Sequence, residues 1–350
     1  MARLMQPPLS GSASGEKVMR SIKLGNTGPE VSAIALGCMG MSGMYGPSDR
    51  SESIATIHAA LDAGVNLIDT GDFYGMGHNE MLIGEALKGV PRDSYLLSVK
   101  FNALRGPDGG WSGFDSSPKA IRNFIAYSLQ RLGADYIDIY RPSRLDPLVP
   151  IEETMGALAD LVKQGYVRHI GLSEVGAETL RRAVAVHPVS DLQIEYSLIS
   201  RGIEDEILPT ARALGIAITA YGVLSRGLIS GHWSKDGRGA GDIRLHTPRF
   251  SGDNVDANLR LVEALQGIAQ AKGATVAQVA IAWVIAQGAD IIPVIGARRR
   301  DRLDEALGSL DLELNADDLA LIERVVPKGA AAGDRYAPMQ MSALDSEKAG

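Results

Sequence analysis

Cysteine is almost absent: Cys38 stands alone in 350 residues. An intrachain disulfide is therefore excluded, and a reducing compartment, the cytoplasm, is expected. Long apolar runs are missing too, and none approaches the roughly 20 residues of a membrane-spanning helix. The opening MARLMQPPLSGSASGEK has no apolar centre of the signal-peptide kind, so residues 1–18 are expected to form a flexible extension. Positive charge is in deficit, with 35 Lys and Arg against 42 Asp and Glu for a net charge of −7. That balance argues against a nucleic-acid partner. The six His are scattered, and neither HExxH nor paired CxxC occurs, so no metal site is expected. No GxGxxG follows an early strand, and the Gly-rich GCMGMSGMYG at 37–46 does not fit a phosphate loop. A monomer or small homo-oligomer acting on a small molecule, away from membranes, is the expectation.

What is present is an alternation of apolar runs and amphipathic stretches. Residues 19–33 alternate around Gly25-Asn26-Thr27-Gly28 and predict a hairpin. Eight apolar runs then predict strands at 33–36, 65–68, 95–99, 136–140, 167–171, 192–195, 216–220 and 290–294. Helices are predicted between and after them, at 51–63, 79–88, 118–132, 151–163, 177–187, 204–214, 258–271, 276–287, 301–307 and 316–325. Ser116 or Ser117 caps the third. The strands are continuously apolar, as strands covered on both faces must be. Eight βα units predict an α/β (β/α)8 barrel with an N-terminal hairpin and extra C-terminal helices. Periodicity leaves a doubly wound open sheet as the alternative. No linker-like composition interrupts 35–325. Residues 19–326 are read as one domain and 327–350 as a C-terminal tail. The loop 233–256, rich in Gly, Asp and Arg, is too long for a connector and reads as a lid or a disordered insertion.

Chemistry is expected in Gly64–Gly89, GVNLIDTGDFYGMGHNEMLIGEALKG. This stretch puts Asp69, Thr70, Asp72 and Tyr74 at the carboxyl end of a strand, just ahead of a helix, where α/β folds keep their sites. Lys100 ends the next strand, LLSVK. An ammonium near a phenol lowers the phenol's pKa, and a carboxylate orients the Lys and keeps it charged. A Tyr so tuned donates a proton to a carbonyl oxygen that is receiving a hydride. Spacing alone leaves a second reading open, in which Lys100 is a strand-end cation paired with any acid. Asp72 reads as a turn residue.

At these residues the chain resembles the aldo-keto reductases. IDTGDFYG followed by SVK is similar to the family's IDTAxxYG and later TK. The similarity continues through GLSEVG (171–176), QIEYSL (193–198), AYGVLSRG (220–227) and IIPVIGARRRDRLDE (291–305). It runs from Ile22 to Val325 in the family's order. The resemblance implies a (β/α)8 barrel with a nicotinamide cofactor over the carboxyl ends of its strands. It implies Tyr74 as general acid, with Asp69 and Lys100 as partners. The family's fourth member is a His in a YYxHR-like context, and here DIYRPSRLDP puts Ser143 at that position. Ser143 can hydrogen-bond a carbonyl oxygen or a water but offers no cationic donor. Some similar reductases of pyridoxal and of ketones also lack this His, so a shifted substrate range is expected, with loss of activity the other outcome.

The resemblance also implies a cofactor grip. Gly40, Met41 and Asp69 would face the cofactor, and Ser173, Glu174 and Gln193 would hold its carboxamide. Tyr221 would stack on the nicotinamide beside Gly222. Leu224, Ser225, Arg226 and Gly227 would follow the pyrophosphate. Gly296, Ala297, Arg298, Arg302 and Glu305 would surround the 2′-phosphate and adenine. The cluster Arg298, Arg299, Arg300 and Arg302 at a helix start suits a phosphate dianion, although four Arg also read as a solvated patch. NADPH is expected, with NADH possible because Ala306 replaces a frequent Asn. Met41, Tyr45, Phe73, Phe101, Trp111, Arg144 and the loop near Trp233 are candidate substrate contacts. The implied activity is NADPH-dependent reduction of an aldehyde or ketone to the alcohol. Substrates in reach are small aromatic or pyridoxal-like aldehydes and bulky ketones such as keto-trichothecene mycotoxins. Two rivals are a cofactor-binding regulatory subunit of the same fold and a barrel aldolase or isomerase with a Schiff base at Lys100.

Overall fold

The Gly25 turn reverses the chain between β1 (Ser21–Lys23) and β2 (Glu30–Ser32), which pair antiparallel as predicted. In the computed structural model, which describes residues 19–235 and 242–348, this hairpin closes one end of a barrel. The extension at 1–18 and residues 236–241 of the long loop lie outside the described residues. Leu24 and Val31 of the hairpin pack on Ala35, Leu67, Ala217 and Ile292, which stand near the amino ends of barrel strands.

The eight expected strands are all present. They are β3 (Ala35–Gly37), β4 (Leu67–Gly71) and β5 (Leu96–Phe101). A short hairpin follows, β6 (Ala103–Arg105) with β7 (Trp111–Phe114). Then come β8 (Ile137–Pro142), β9 (Val167–Ile170), β10 (Leu172–Ser173), β11 (Asp191–Glu195), β12 (Ala217–Tyr221) and β13 (Ile291–Gly296). The parallel sheet runs β10-β11-β12-β13-β3-β4-β5-β8-β9. Gly171 alone separates β9 from β10 and donates to the carbonyl of Tyr140 on β8. The sheet therefore closes on itself as a (β/α)8 barrel, and the open-sheet alternative is excluded. Strands β4 (LIDTG), β8 (IDIYRP) and β11 (DLQIE) are buried along their whole length, their polar residues included.

The helices are α1 (Arg50–Asp62), α2 (His78–Ala86), α3 (Pro118–Leu132), α4 (Ile151–Gln164), α5 (Ala177–Val184) and α6 (Ile207–Ala213). They continue with α7 (Gly252–Ala271), α8 (Val276–Ala286), α9 (Arg300–Leu307), α10 (Ala316–Val325) and α11 (Pro338–Ser342). In α3 the residues Ile121, Ile125, Ser128 and Leu132 are buried, a helical spacing that makes one core-facing stripe. Ser117 accepts from the Ala120 amide at its start, and Gly133 ends it in the left-handed region.

Three expectations change. Helix α7 begins at Gly252 rather than at 258. Ahead of it, Ile243–His246 and Pro248–Phe250 form short 3-10 turns, so this part of the long loop is ordered, not a disordered insertion. Residues 327–348, expected as a tail, pack back on the barrel. Asp345 accepts from the Gly176 amide at 2.9 Å and from Thr179 Oγ1 at 2.7 Å, which supplies the cap that a Gly cannot give α5. Among the described residues no single helix is long and apolar enough to cross a membrane.

Leu24 is fully buried at the barrel floor. Leu24→Ala should cost about 2–5 kcal/mol, read as a fall in the urea midpoint; a change under about 0.5 kcal/mol would mean that the hairpin only rests on the barrel.

Candidate active site

Side chains alternate along a strand, so Asp69 on β4 and both Ser98 and Lys100 on β5 point into the barrel at its carboxyl end. In register, Asp69 lies opposite Ser98 and Gly71 opposite Lys100. Lys100 Nζ donates to Asp69 Oδ1 at 2.5 Å, while Ser98 Oγ and Gln193 Nε2 each donate to Oδ2 at 2.8 Å. Thr70 faces the other way and bonds Asn79 at 2.6 Å. After β4 the chain turns through Gly75, Met76 and Gly77, all with positive φ, and lays the Tyr74 ring 5.4 Å from Lys100 Nζ. A Cβ on Gly71 would stand 3.3 Å from both Phe73 and Tyr74 ring atoms, so the missing side chain is what admits the phenol. Asp72 lies in that turn, as read, but is buried, and burial together with Glu80 pushes its carboxyl well above the usual range.

The electrostatics differ from expectation. Burial, then Asp69 and Tyr45, push the Tyr74 phenol well above its usual value, and the cation pulling it down is Arg144. Lys100 itself falls below the usual Lys value. Burial lowers it, Asp69 raises it, and Arg141 lowers it again. Tyr74 is thus held firmly protonated beside a lysine that gives up its proton more readily than usual.

Ser143 is corrected as a donor to substrate. Its Oγ donates to Asn102 Oδ1 at 2.7 Å, so its one proton is taken. Asn102, fully buried at φ 80°, also bonds Ser116 Oγ and the Arg144 carbonyl, each at 2.8 Å. Ser143 therefore braces the loop after β8. Arg144 donates to the Ser143 carbonyl at 2.6 Å and extends its guanidinium toward Tyr336, 5.9 Å from that ring. Two further substrate candidates are overturned by burial. Phe101 stacks on Tyr140 at 4.3 Å in the core, and Met41 is 1 % exposed. Phe73 stands edge-on to Tyr74 at 4.8 Å and to Trp111 at 5.7 Å. Trp111, with Arg105 over its ring, joins Ser42, Met44, Gly75, Met76 and Ile243 around a cavity of about 390 Å³.

A second cavity, about 340 Å³, opens past the carboxyl ends of β12 and β13. Its walls include Gly227, Arg244, Gly296, Arg298, Arg299 and Arg302. Trp233 belongs to this wall and packs edge-on to Phe250. Arg300 turns away to pair with Glu52 at 2.9 Å. Glu305 accepts from His232 at 2.9 Å and Arg302 at 3.1 Å. Leading to the cavity, Ser225, Arg226 and Gly227 follow Leu224 with positive φ. Ser225 Oγ and Arg226 Nη1 are buried without a hydrogen-bond partner among the described residues. Unpaired donors on a left-handed loop, ahead of an arginine-lined hollow, fit the phosphates of a dinucleotide. Gly40 lies close to Tyr45, and Ala297 is buried beneath Arg298, which donates to the Pro47 carbonyl at 3.0 Å.

The carboxamide end is arranged otherwise. Glu174 accepts from Arg335 Nη2 at 2.6 Å and Nη1 at 2.9 Å, from Ser346 Oγ at 2.6 Å, from Tyr221 Oη at 2.7 Å and from the Glu195 amide at 3.0 Å. Five donors leave no place for a sixth. Burial would raise the Glu174 carboxyl, but Arg335 overrides it and holds the group well below the usual range. Tyr336 Oη lies 2.9 Å from Tyr221 Oη, and its ring sits 4.4 Å from the Arg226 guanidinium. Glu195, which Gly222 approaches closely, gathers Arg226 at 3.2 Å and Arg249 and Arg335 at 3.5 Å. Sequence reasoning passed over Asn102, Arg335, Tyr336 and Ser346. The available signal was an Arg-Tyr pair set in the small and apolar stretch GAAAGDRYAPMQM.

A barrel with Asp, Lys and Tyr gathered over its strand ends, beside an arginine-lined hollow, fits a class of oxidoreductases acting on carbonyl and alcohol groups. Residues 33–327 match the Aldo/keto reductase family, and the chain belongs to it. It is 41 % identical over 321 residues to a probable aldo-keto reductase 1 from Glycine max, covering 91 % of this chain and 92 % of that one. Its fold is similar to a glycerol dehydrogenase from Gluconobacter oxydans, with TM-score 0.79, 29 % identity, and 87 % and 94 % of the two chains covered. An aldo-keto reductase from Bacillus halodurans, in its holo form, gives TM-score 0.75 and 25 % identity over 91 % and 99 %. The family works with nicotinamide cofactors, which decides against the Schiff-base reading of Lys100.

Arg335→Met leaves Glu174 buried without its counter-charge and should cost about 3–5 kcal/mol, with residues 335–348 losing hydrogen-exchange protection. Because the Glu174 carboxyl is depressed in the folded state, its contribution is complete above the unfolded value of about 4.3 and fades as pH falls below it. Protection of that segment should therefore hold between about pH 5 and 8 and weaken below about 4. A segment equally protected in the variant would show that the ion pair does not hold it.

Proposed function

We propose that this enzyme reduces aldehydes or ketones to alcohols with NADPH, and that Tyr74, Lys100 and Asp69 carry the proton chemistry. The convergence of Lys100, Asp69 and the Tyr74 phenol within one buried strand-end pocket is the observation that carries this reading. When bound, the nicotinamide supplies a hydride to the carbonyl carbon. Tyr74 gives its proton to the carbonyl oxygen, on which negative charge develops. Lys100, oriented by Asp69, stabilises the phenol oxygen as that proton leaves. Ser143, committed to Asn102, keeps the loop in place, and Arg144 is the nearest cation at that corner.

In the same reading Ser173 and Gln193 hold the carboxamide and Tyr221 backs the ring, while saturated Glu174 anchors residues 335–346 over the site. Ser225, Arg226 and Gly227 take the pyrophosphate. Arg298 and Arg302 favour the extra phosphate of NADPH over NADH. The cavity around Trp111, Met44 and Met76 has adaptable apolar walls with one cation, Arg105. It suits aromatic aldehydes, pyridoxal-like aldehydes and bulky ketones, including keto-trichothecenes, which together form the panel to assay. The commitment of Ser143 and Glu174 to other partners supports a second reading, a cofactor-binding subunit with little turnover. Cofactor binding with no oxidation across the whole panel would favour it.

Tyr74→Phe should lower kcat by about 10²–10⁴-fold while the NADPH Kd, titrated by fluorescence, stays unchanged. An active Tyr74→Phe enzyme would remove Tyr74 as the proton donor. Arg302→Ala should raise the KM for NADPH by about tenfold, the scale of one charge-assisted hydrogen bond, and leave the KM for NADH as it was. Equal effects on both cofactors would place Arg302 outside the 2′-phosphate site.

A further inference from the structure

Deeper in the barrel lies an ion pair that none of these steps uses. Arg141 on β8 stands in register with Lys100 on β5, and both Arg141 and its partner Asp191 are wholly buried. Arg141 Nη1 donates to Asp191 Oδ2 at 2.7 Å and to Thr219 Oγ1 at 3.1 Å. Its Nη2 donates to Asp191 Oδ1 at 3.2 Å and to Ser98 Oγ at 3.1 Å. Ser98 in turn donates to Asp69 Oδ2 at 2.8 Å. One chain of contacts thus runs Asp191, Arg141, Ser98, Asp69, Lys100.

The fold makes room for this pair. A Cβ on Gly171 would stand 2.9 Å from Asp191 Oδ1 and 3.1 Å from Arg141 Cζ. Stability alone does not call for it, because apolar residues in place of a buried ion pair are often as stable or more so. Arg141 Nε is moreover buried without a partner among the described residues.

We propose that Arg141 is a positioning residue of the reduction: through Ser98 it fixes Asp69, and its permanent charge faces the Lys100 ammonium from the neighbouring strand. The proposal rests on Tyr74 and Lys100 being the proton-handling pair. A guanidinium does not deprotonate in proteins, so this positive potential persists at every working pH. Like charges at opposed strand positions disfavour each other, which makes Lys100 the readier donor. Tyr74 passes its proton to the substrate oxygen, Lys100 Nζ replaces that proton on the phenol, and solvent later restores Lys100. No electrons move in the replacement. The other groups facing Lys100 are Asp69 from β4, Tyr74 from the turn after it, Cys38 after β3 and Arg144 after β8. Arg141 is faced by Asp191 from β11, Thr219 from β12 and Ser98 from β5.

The test is the pH profile of kcat/KM for the full chain, with any panel substrate it reduces. Activity should fall at high pH as Lys100 loses its charge. In Arg141→Leu/Asp191→Leu, an uncharged replacement of the pair, that limb should move up by on the order of one pH unit. Arg141→Lys should keep it within about 0.3 unit of the parent, since the cation remains. A folded double variant with an unmoved limb overturns the proposal, whatever its Tm. If the double variant does not fold, Ser98→Ala decides. Loss of that link should lower kcat about tenfold at constant KM in the folded variant, and an unchanged kcat overturns the proposal. Tyr74→Phe separates the two levels. If it is inactive while the Arg141 limb stays put, only the role of Arg141 fails; if it is active, the underlying assignment fails.

Discussion

A carboxylate enclosed in a barrel has to be ringed by donors, and Asp69 is the group around which this site is built. Lys100 and Ser98 reach it from β5 and Gln193 from β11. Their positions depend on the parallel register that sets Asp69 beside Ser98. Register and chemistry are therefore one constraint, since a slip of one residue on β5 would turn Lys100 to the outside.

The same rule governs the rim. Glu174 and Glu195 are two further buried carboxylates, and the chain answers them with Arg335, Arg226 and Arg249. The site is a mosaic of acids and cations in which each acid is held by residues far away in sequence. The unpaired Ser225 hydroxyl and Arg226 Nη1 stand out against that background, and so does the arginine-lined hollow beyond them. Buried donors without acceptors call for an explanation, and a phosphate arriving from outside would supply one for these two.

The barrel was legible because buried parallel strands and amphipathic helices write their periods directly into sequence. Each strand was found within a few residues, and helix α3 at its full extent. That Asp69, Tyr74 and Lys100 come together at the strand ends was expected from the resemblance, since the local pattern alone left Lys100 open to a plain ion-pair reading. What escaped was long-range. Nothing near Ser143 announces that Asn102 will take its proton, and nothing near Glu174 announces Arg335. The hairpin β6–β7 escaped for a different reason: its residues, ALR and WSGF, carry no alternation to detect. The direction of the Tyr74 shift was missed because burial outweighs a neighbouring cation, and depth is invisible in a string of letters.

The return of residues 335–346 to Glu174 has a consequence for biogenesis. A ribosome releases every strand of the barrel before Arg335 emerges. Until then the nascent barrel carries Glu174 and Glu195 as acids lacking their Arg335 partner, and α5 lacks the cap that Asp345 provides. Most of the barrel's strands can pair as they appear, while closure waits for β13, whose Val294 pairs with Ala35 on β3. The rim waits later still, because Arg335 follows β13 in the chain and reaches back 161 positions to Glu174, so it is completed after the barrel. Maturation of the site is thus timed by the arrival of one arginine.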